Sequence, residues 1–138
     1  MNQTEKIDKA AILHIPLSQY AFATSEYSIT IRLRAKKSDL TRCVLYTADR
    51  VCRETPVCFS GTDMRVCATD ECFDYYEADL TLPYNRVCYY FKLEKGEEWT
   101  YYYADRFTKK LPDRAADGVL IDGRSEYYQY PFILRDEI

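Results

Sequence analysis

The chain has 138 residues, enough for one domain that buries about two-thirds of its unfolded surface. Its formal net charge of −3 and pI near 5.2 give no basic footprint, which argues against nucleic acid and anionic membrane as partners. No apolar run approaches the roughly 18 residues of a membrane span, and Met1–Lys9 lacks the apolar core of a secretory signal, so the expected location is cytoplasmic.

In chain order, residues 1 to 9 are polar and expected to fray. Ala11 to Ile15 is a short apolar run that reads as a buried strand stopped by Pro16. It holds the single histidine, His14, for which a satisfied core or edge position is expected, since no second histidine could share a metal. Tyr27 to Ala35 alternates cleanly, with Tyr27, Ile29, Ile31, Leu33 and Ala35 on the predicted core face. Lys36 to Asp39 is a turn, Arg42 to Ala48 the next strand, and Asp49-Arg50 opens a loop through Pro56. Met64 to Ala68 reads as a further short strand.

Asp70 to Tyr103 holds three successive aromatic and β-branched segments separated by short breaks with Pro or Gly, the pattern of an antiparallel meander. Tyr76, Ala78, Leu80 and Leu82 share one face of its first strand; Val87, Tyr89, Phe91 and Leu93 share one face of its second. The third strand leaves neither face charged, with Trp99, Tyr101 and Tyr103 on one parity. That row is either core or a display of rings for a partner. Asp105 to Asp117 reads as an irregular loop, Gly118 to Ile121 as a short strand, and Tyr127 to Leu134 as the closing strand, with Pro131 favouring an edge or bulge. About eight strands at intervals of 8–12 residues predict a single all-β domain over 1–138, an antiparallel β-sandwich with a barrel as the alternative.

Catalytic constellations are missing. There is no glycine-rich phosphate loop, nucleophile elbow or metal-binding histidine pair, so no catalytic residue, metal or cofactor is assigned. The carboxylates lie in turns or on outward strand faces, without the cleft that a glycosidase pair needs. The six cysteines form no Cys-x-x-Cys pair and are expected to be reduced and structural; Cys67 and Cys72 are the first pair to inspect for a bridge. The fourteen tyrosines weigh toward core packing, yet tyrosine and tryptophan faces also suit sugar rings.

Four segments carry a resemblance. They are Ala11-Ile-Leu-His14 with Tyr20-Ala-Phe22; Ile31 to Asp39 with Arg42 to Arg50; Asp70 to Ala78 with Arg86 to Phe91; and Tyr130 to Glu137. In this order and spacing the chain resembles the N-terminal domain of the neopullulanase, cyclomaltodextrinase and maltogenic amylase group, a family 34 carbohydrate-binding module attached to family 13 glycoside hydrolases. The resemblance implies an immunoglobulin-like sandwich without chemistry of its own, with a catalytic barrel after Ile138. It implies packing against that barrel, commonly across a homodimer, where the module narrows the cleft toward small α-glucans and cyclodextrins. Trp99, Tyr101 and Tyr103 are the candidate sugar contacts, and Asp49 and Arg50 the candidate contacts to the barrel or partner subunit. In several relatives an aromatic follows the Asp-Arg pair and reaches the partner's cleft; here Val51 stands there. The alternative is a purely structural or dimerising sandwich with no sugar affinity.

Overall fold

The computed structural model describes residues 6–16, 18–25, 27–49, 59–83, 87–109 and 128–130. Among the described residues, ten strands make two antiparallel sheets: β1 (Ala21–Ala23), β2 (Ser28–Lys36), β3 (Arg42–Asp49), β4 (Ser60–Asp63), β5 (Arg65–Thr69), β6 (Phe73–Thr81), β7 (Val87–Lys95), β8 (Glu98–Tyr103), β9 (Arg106–Thr108) and β10 (Tyr128–Tyr130). The first sheet runs β1-β2-β6-β5 and the second β4-β3-β7-β8-β9, with β10 also pairing β7.

Between the sheets lies one core. Ile29, Ile31, Leu33 and Ala35 of β2 and Tyr76 and Ala78 of β6 meet Cys43, Leu45, Val87, Tyr89, Phe91 and Leu93 from the opposite layer, all buried. Leu80 packs partly buried against them. The period-two pattern therefore identified the inward faces of β2 and β6, with one exception. Tyr27 precedes β2 and stays 43% exposed, because the ladder to β6 begins at Ser28. On the other face of β2, cross-strand polar pairs replace apolar contacts: Thr30 Oγ1 donates to Asp79 and Arg32 Nε to Glu77.

The three-strand meander is corrected. β6 belongs to the first sheet and β7 to the second, so the chain crosses between layers after Thr81, and the consecutive hairpins are β7-β8 and β8-β9. Equal aromatic content in β6 and β7 cannot distinguish a hairpin from a change of sheet. A second crossing is tighter: β4 and β5 are separated only by Met64, which is buried and whose N–H bonds the Cys43 carbonyl at 2.8 Å. A single buried kink thus closes one side of the sandwich.

Opposite that side, the N-terminal segment fills the gap between layers. Lys9–Ala11 is a 3-10 helix, and Leu13 forms one antiparallel bridge to Arg34, where a strand over Ala11 to Ile15 was expected. Ile7, Ala11 and Ile12 are buried, so residues 6–9 are not frayed. Asp39 fixes them: its Oδ2 accepts from the Asp8 N–H at 2.9 Å, and its Oδ1 from Lys95 Nζ at 2.6 Å. The same ammonium donates to the Lys6 carbonyl at 3.0 Å. The expected strand Gly118 to Ile121, the Asp49-Arg50 loop from Arg50 on, and the end of the closing strand lie outside the described residues.

The outer face of the second sheet as candidate functional site

Register places the aromatic row of β8. Tyr102 pairs with Phe91 and points inward, so Trp99 and Tyr101, opposite Glu94 and Lys92, lie on the outer face of the sheet. Both are half-buried. Their rings meet edge-on at 5.2 Å between centroids and 73° between planes. Two rings so crossed do not form a continuous flat platform. Lys92 Nζ and Lys109 Nζ sit 4.9 and 4.1 Å from the Trp99 ring centre, and Lys109 also donates to the Trp99 carbonyl. Tyr103 ends the row at 4% exposure, with the Arg106 guanidinium 5.9 Å from its ring.

The row continues into a cluster that the alternation assigned to water. Tyr90 lies on the nominally polar face of β7, yet it is 5% exposed. Tyr46 stacks on it at 5.0 Å and 14°, while Phe59 and Tyr101 meet it edge-on at 4.9 and 5.5 Å. Tyr46 in turn lies over Gly61 of β4, where a Cβ would stand 2.8 Å from its ring. A glycine is required there for the ring to lie flat across the edge strand. The sequence signal was available in the shared parity of Val44, Tyr46, Tyr90 and Tyr101, but strand pairing was needed to align it.

Asp49 closes β3 opposite Val87, at the far end of β7 from Glu94 and Trp99. Seven residues along that strand correspond to roughly 23 Å at about 3.3 Å per residue. The two candidate sites are therefore separate regions of one sheet. Arg50 lies outside the described residues.

Among the described residues no group of His, Cys, Asp or Glu could hold a metal ion, and no helix is long and apolar enough to cross a membrane. Cys43 and Cys88 are buried; Cys67 and Cys72 are exposed and unbridged. Burial holds the Cys43 thiol far above its ordinary range, with the Asp63 charge adding to the shift, so it stays protonated and inert.

Two antiparallel layers with strands passing between them define an immunoglobulin-like β-sandwich. Residues 7–134 match the family described as the alpha amylase, N-terminal ig-like domain, and the chain belongs to that family. Its relatives include Neopullulanase 2 of Thermoactinomyces vulgaris, 34% identical over 131 residues, and a cyclomaltodextrinase of Bacillus sp, 33% identical over 125. Those alignments cover 93% and 89% of this chain but 20% of each relative. A solved cyclomaltodextrinase structure superposes with a TM-score of 0.76 at 29% identity, covering 90% of this chain and 19% of that one. The chain thus spans about a fifth of the length of the relatives it matches.

Proposed function

We propose that this domain is the non-catalytic accessory module of an α-glucan hydrolase, working beside a catalytic barrel whose cleft it narrows toward cyclodextrins and short α-glucans. The observation that carries the reading is the match over residues 7–134 to a domain family named for its place in amylases, with relatives named neopullulanase and cyclomaltodextrinase. In this reading the sandwich is one folded unit over the chain, and the hydrolase is a cytoplasmic homodimer. Asp49 and Arg50 contact the barrel or partner subunit at one end of the second sheet. Trp99 and Tyr101 offer glucan a half-buried indole and phenol at the other end, with Tyr103 buried at the end of the same row. Lys92 and Lys109 beside Trp99 supply donors for sugar hydroxyls.

The alternative is a structural or dimerising sandwich without sugar affinity, favoured by the crossed rings and by the burial of Tyr103. Tryptophan emission separates the two, because Trp99 is the single tryptophan. Adding maltohexaose or β-cyclodextrin is expected to shift its emission. A flat response together with strong shielding from iodide contradicts sugar contact at Trp99.

A further inference from the structure

The outer face of the first sheet carries a groove that the reading above does not use. Gln19 and Tyr20 border it on one side and Cys67, Ala68 and Tyr75 on the other, with Arg32 and Glu77 across its floor. Its volume is about 480 Å³, within the range of about 300–1,000 Å³ typical of small-ligand sites. Two local features shape it. The turn before β1 is held over β2, with the Arg32 N–H bonded to the Tyr20 carbonyl at 2.7 Å and Ser18 Oγ accepting from the Tyr20 N–H. A bulge between Val66 and Ala68 takes Cys67 out of the β5-β6 register and bends that edge away from the floor.

The floor's chemistry selects the ligand. Glu77 is 9% exposed on a face whose parity points to water. It accepts from Arg32 Nε at 2.9 Å and Arg65 Nη2 at 3.2 Å, and its two oxygens retain acceptor capacity beyond these bonds. The Arg32 guanidinium stands 5.1 Å from the Phe22 ring centre and donates through Nη1 to the Gln19 carbonyl, leaving Nη2 without a partner among the described residues. Arg32 and Arg65 balance Glu77 and Asp79, so the groove favours neither an anion nor a cation. A rigid donor beside a rigid acceptor, flanked by two tyrosines, complements adjacent hydroxyls, each of which both donates and accepts.

We propose that this groove binds a neutral saccharide through the Arg32–Glu77 pair on its floor and Tyr20 and Tyr75 on its walls. The choice of a glucose oligomer as that saccharide rests on the proposed function; the site's geometry does not.

Cys67 lies in the groove and Cys72 outside its lining, and both are exposed free thiols, so alkylation provides a probe with an internal reference. Iodoacetamide labelling of each, read by peptide mass spectrometry, is followed with and without maltotriose. For a millimolar site, about 20 mM maltotriose is expected to slow Cys67 labelling by about threefold or more and leave Cys72 unchanged. Tyr75→Ala and Gln19→Ala, each checked for an intact melting transition, are expected to reduce that protection. Unprotected Cys67, equal slowing of both thiols, or full protection retained in both folded variants overturns the proposal. Trp99 emission in the same samples distinguishes the two sites. A Trp99 response without Cys67 protection overturns the groove and leaves the second-sheet reading standing; Cys67 protection with flat emission does the reverse.

Discussion

His14 Nε2 lies 2.8 Å from the Tyr89 hydroxyl, and the other ring nitrogen, Nδ1, lies 2.7 Å from the Arg32 carbonyl. A carbonyl only accepts, so Nδ1 carries the proton and Nε2 accepts from Tyr89. One neutral imidazole thereby ties the N-terminal segment to β2 of the first sheet and to β7 of the second. Phe91 packs edge-on against it at 4.9 Å, which completes a buried, directional joint between the layers.

That joint makes stability depend on pH. Burial lowers the His14 pKa from 6.5 to about 4, outweighing the Arg32 carbonyl and the Asp105 charge, which act to raise it. The unfolded chain therefore binds a proton that the folded chain refuses. This contribution is fully present above pH 6.5 and is lost as pH falls toward 4. Between pH 7 and 5 the loss is expected to reach about 2 kcal/mol. Urea unfolding across that range checks it, with His14→Gln expected to flatten the slope. Tyr89→Phe, which removes the donor to Nε2, is expected to cost about 1–3 kcal/mol at pH 7.

Asp39 is the second anchor of the N-terminal segment. Its carboxylate is almost fully enclosed and is paired with Lys95, itself mostly buried. Asp39→Ala leaves that ammonium without its partner and frees the Asp8 N–H, an expected loss of about 3–5 kcal/mol. Hydrogen exchange is expected to rise first in residues 6–13, before the β2-β6 ladder.

Leu33 reports on the facing of the whole sandwich. It is fully buried opposite Tyr76 in the β2-β6 register. Leu33→Ala is expected to cost about 2–5 kcal/mol in denaturant unfolding. Stability near that of the unsubstituted chain would invert the assigned face.

The β8-β9 turn stores local strain. Ala104 and Asp105 both have positive φ, 49° and 62°, as a two-residue hairpin with a type I′ backbone requires. Alanine enters that region at a cost that asparagine largely avoids. Ala104→Asn is expected to raise stability by about 0.5–1 kcal/mol in thermal or denaturant unfolding.

Much of this fold was legible because alternation reports burial directly. Ile29, Ile31 and Leu33, like Tyr89, Phe91 and Leu93, point inward as their parity requires. Alternation says nothing about which strand lies alongside, so the passage of β6 and β7 into different sheets was hidden. Ser60–Asp63 is too polar, and three-residue β1 and β9 and the 3-10 turn at Lys9 are too short, to reveal a period. The candidate sites show the same division. The shared parity of Trp99 and Tyr101 was visible, but their crossed rings and the burial of Tyr90 depend on side chains brought in from β3 and Phe59. The Arg32–Glu77 groove was invisible for a different reason: its walls come from the turn before β1 and a bulge in β5, and neither is encoded as a motif.

The central claim, that this sandwich shapes substrate choice in an α-glucan hydrolase, is tested most directly by removing it. The proposed hydrolase, with and without residues 1–138, is assayed for kcat/KM on β-cyclodextrin and on soluble starch. The account predicts that removal lowers the cyclodextrin-to-starch ratio by about tenfold or more, equivalent to about 1.4 kcal/mol of selective transition-state stabilisation. A ratio unchanged by removal, in an enzyme that remains folded and active on starch, would contradict it.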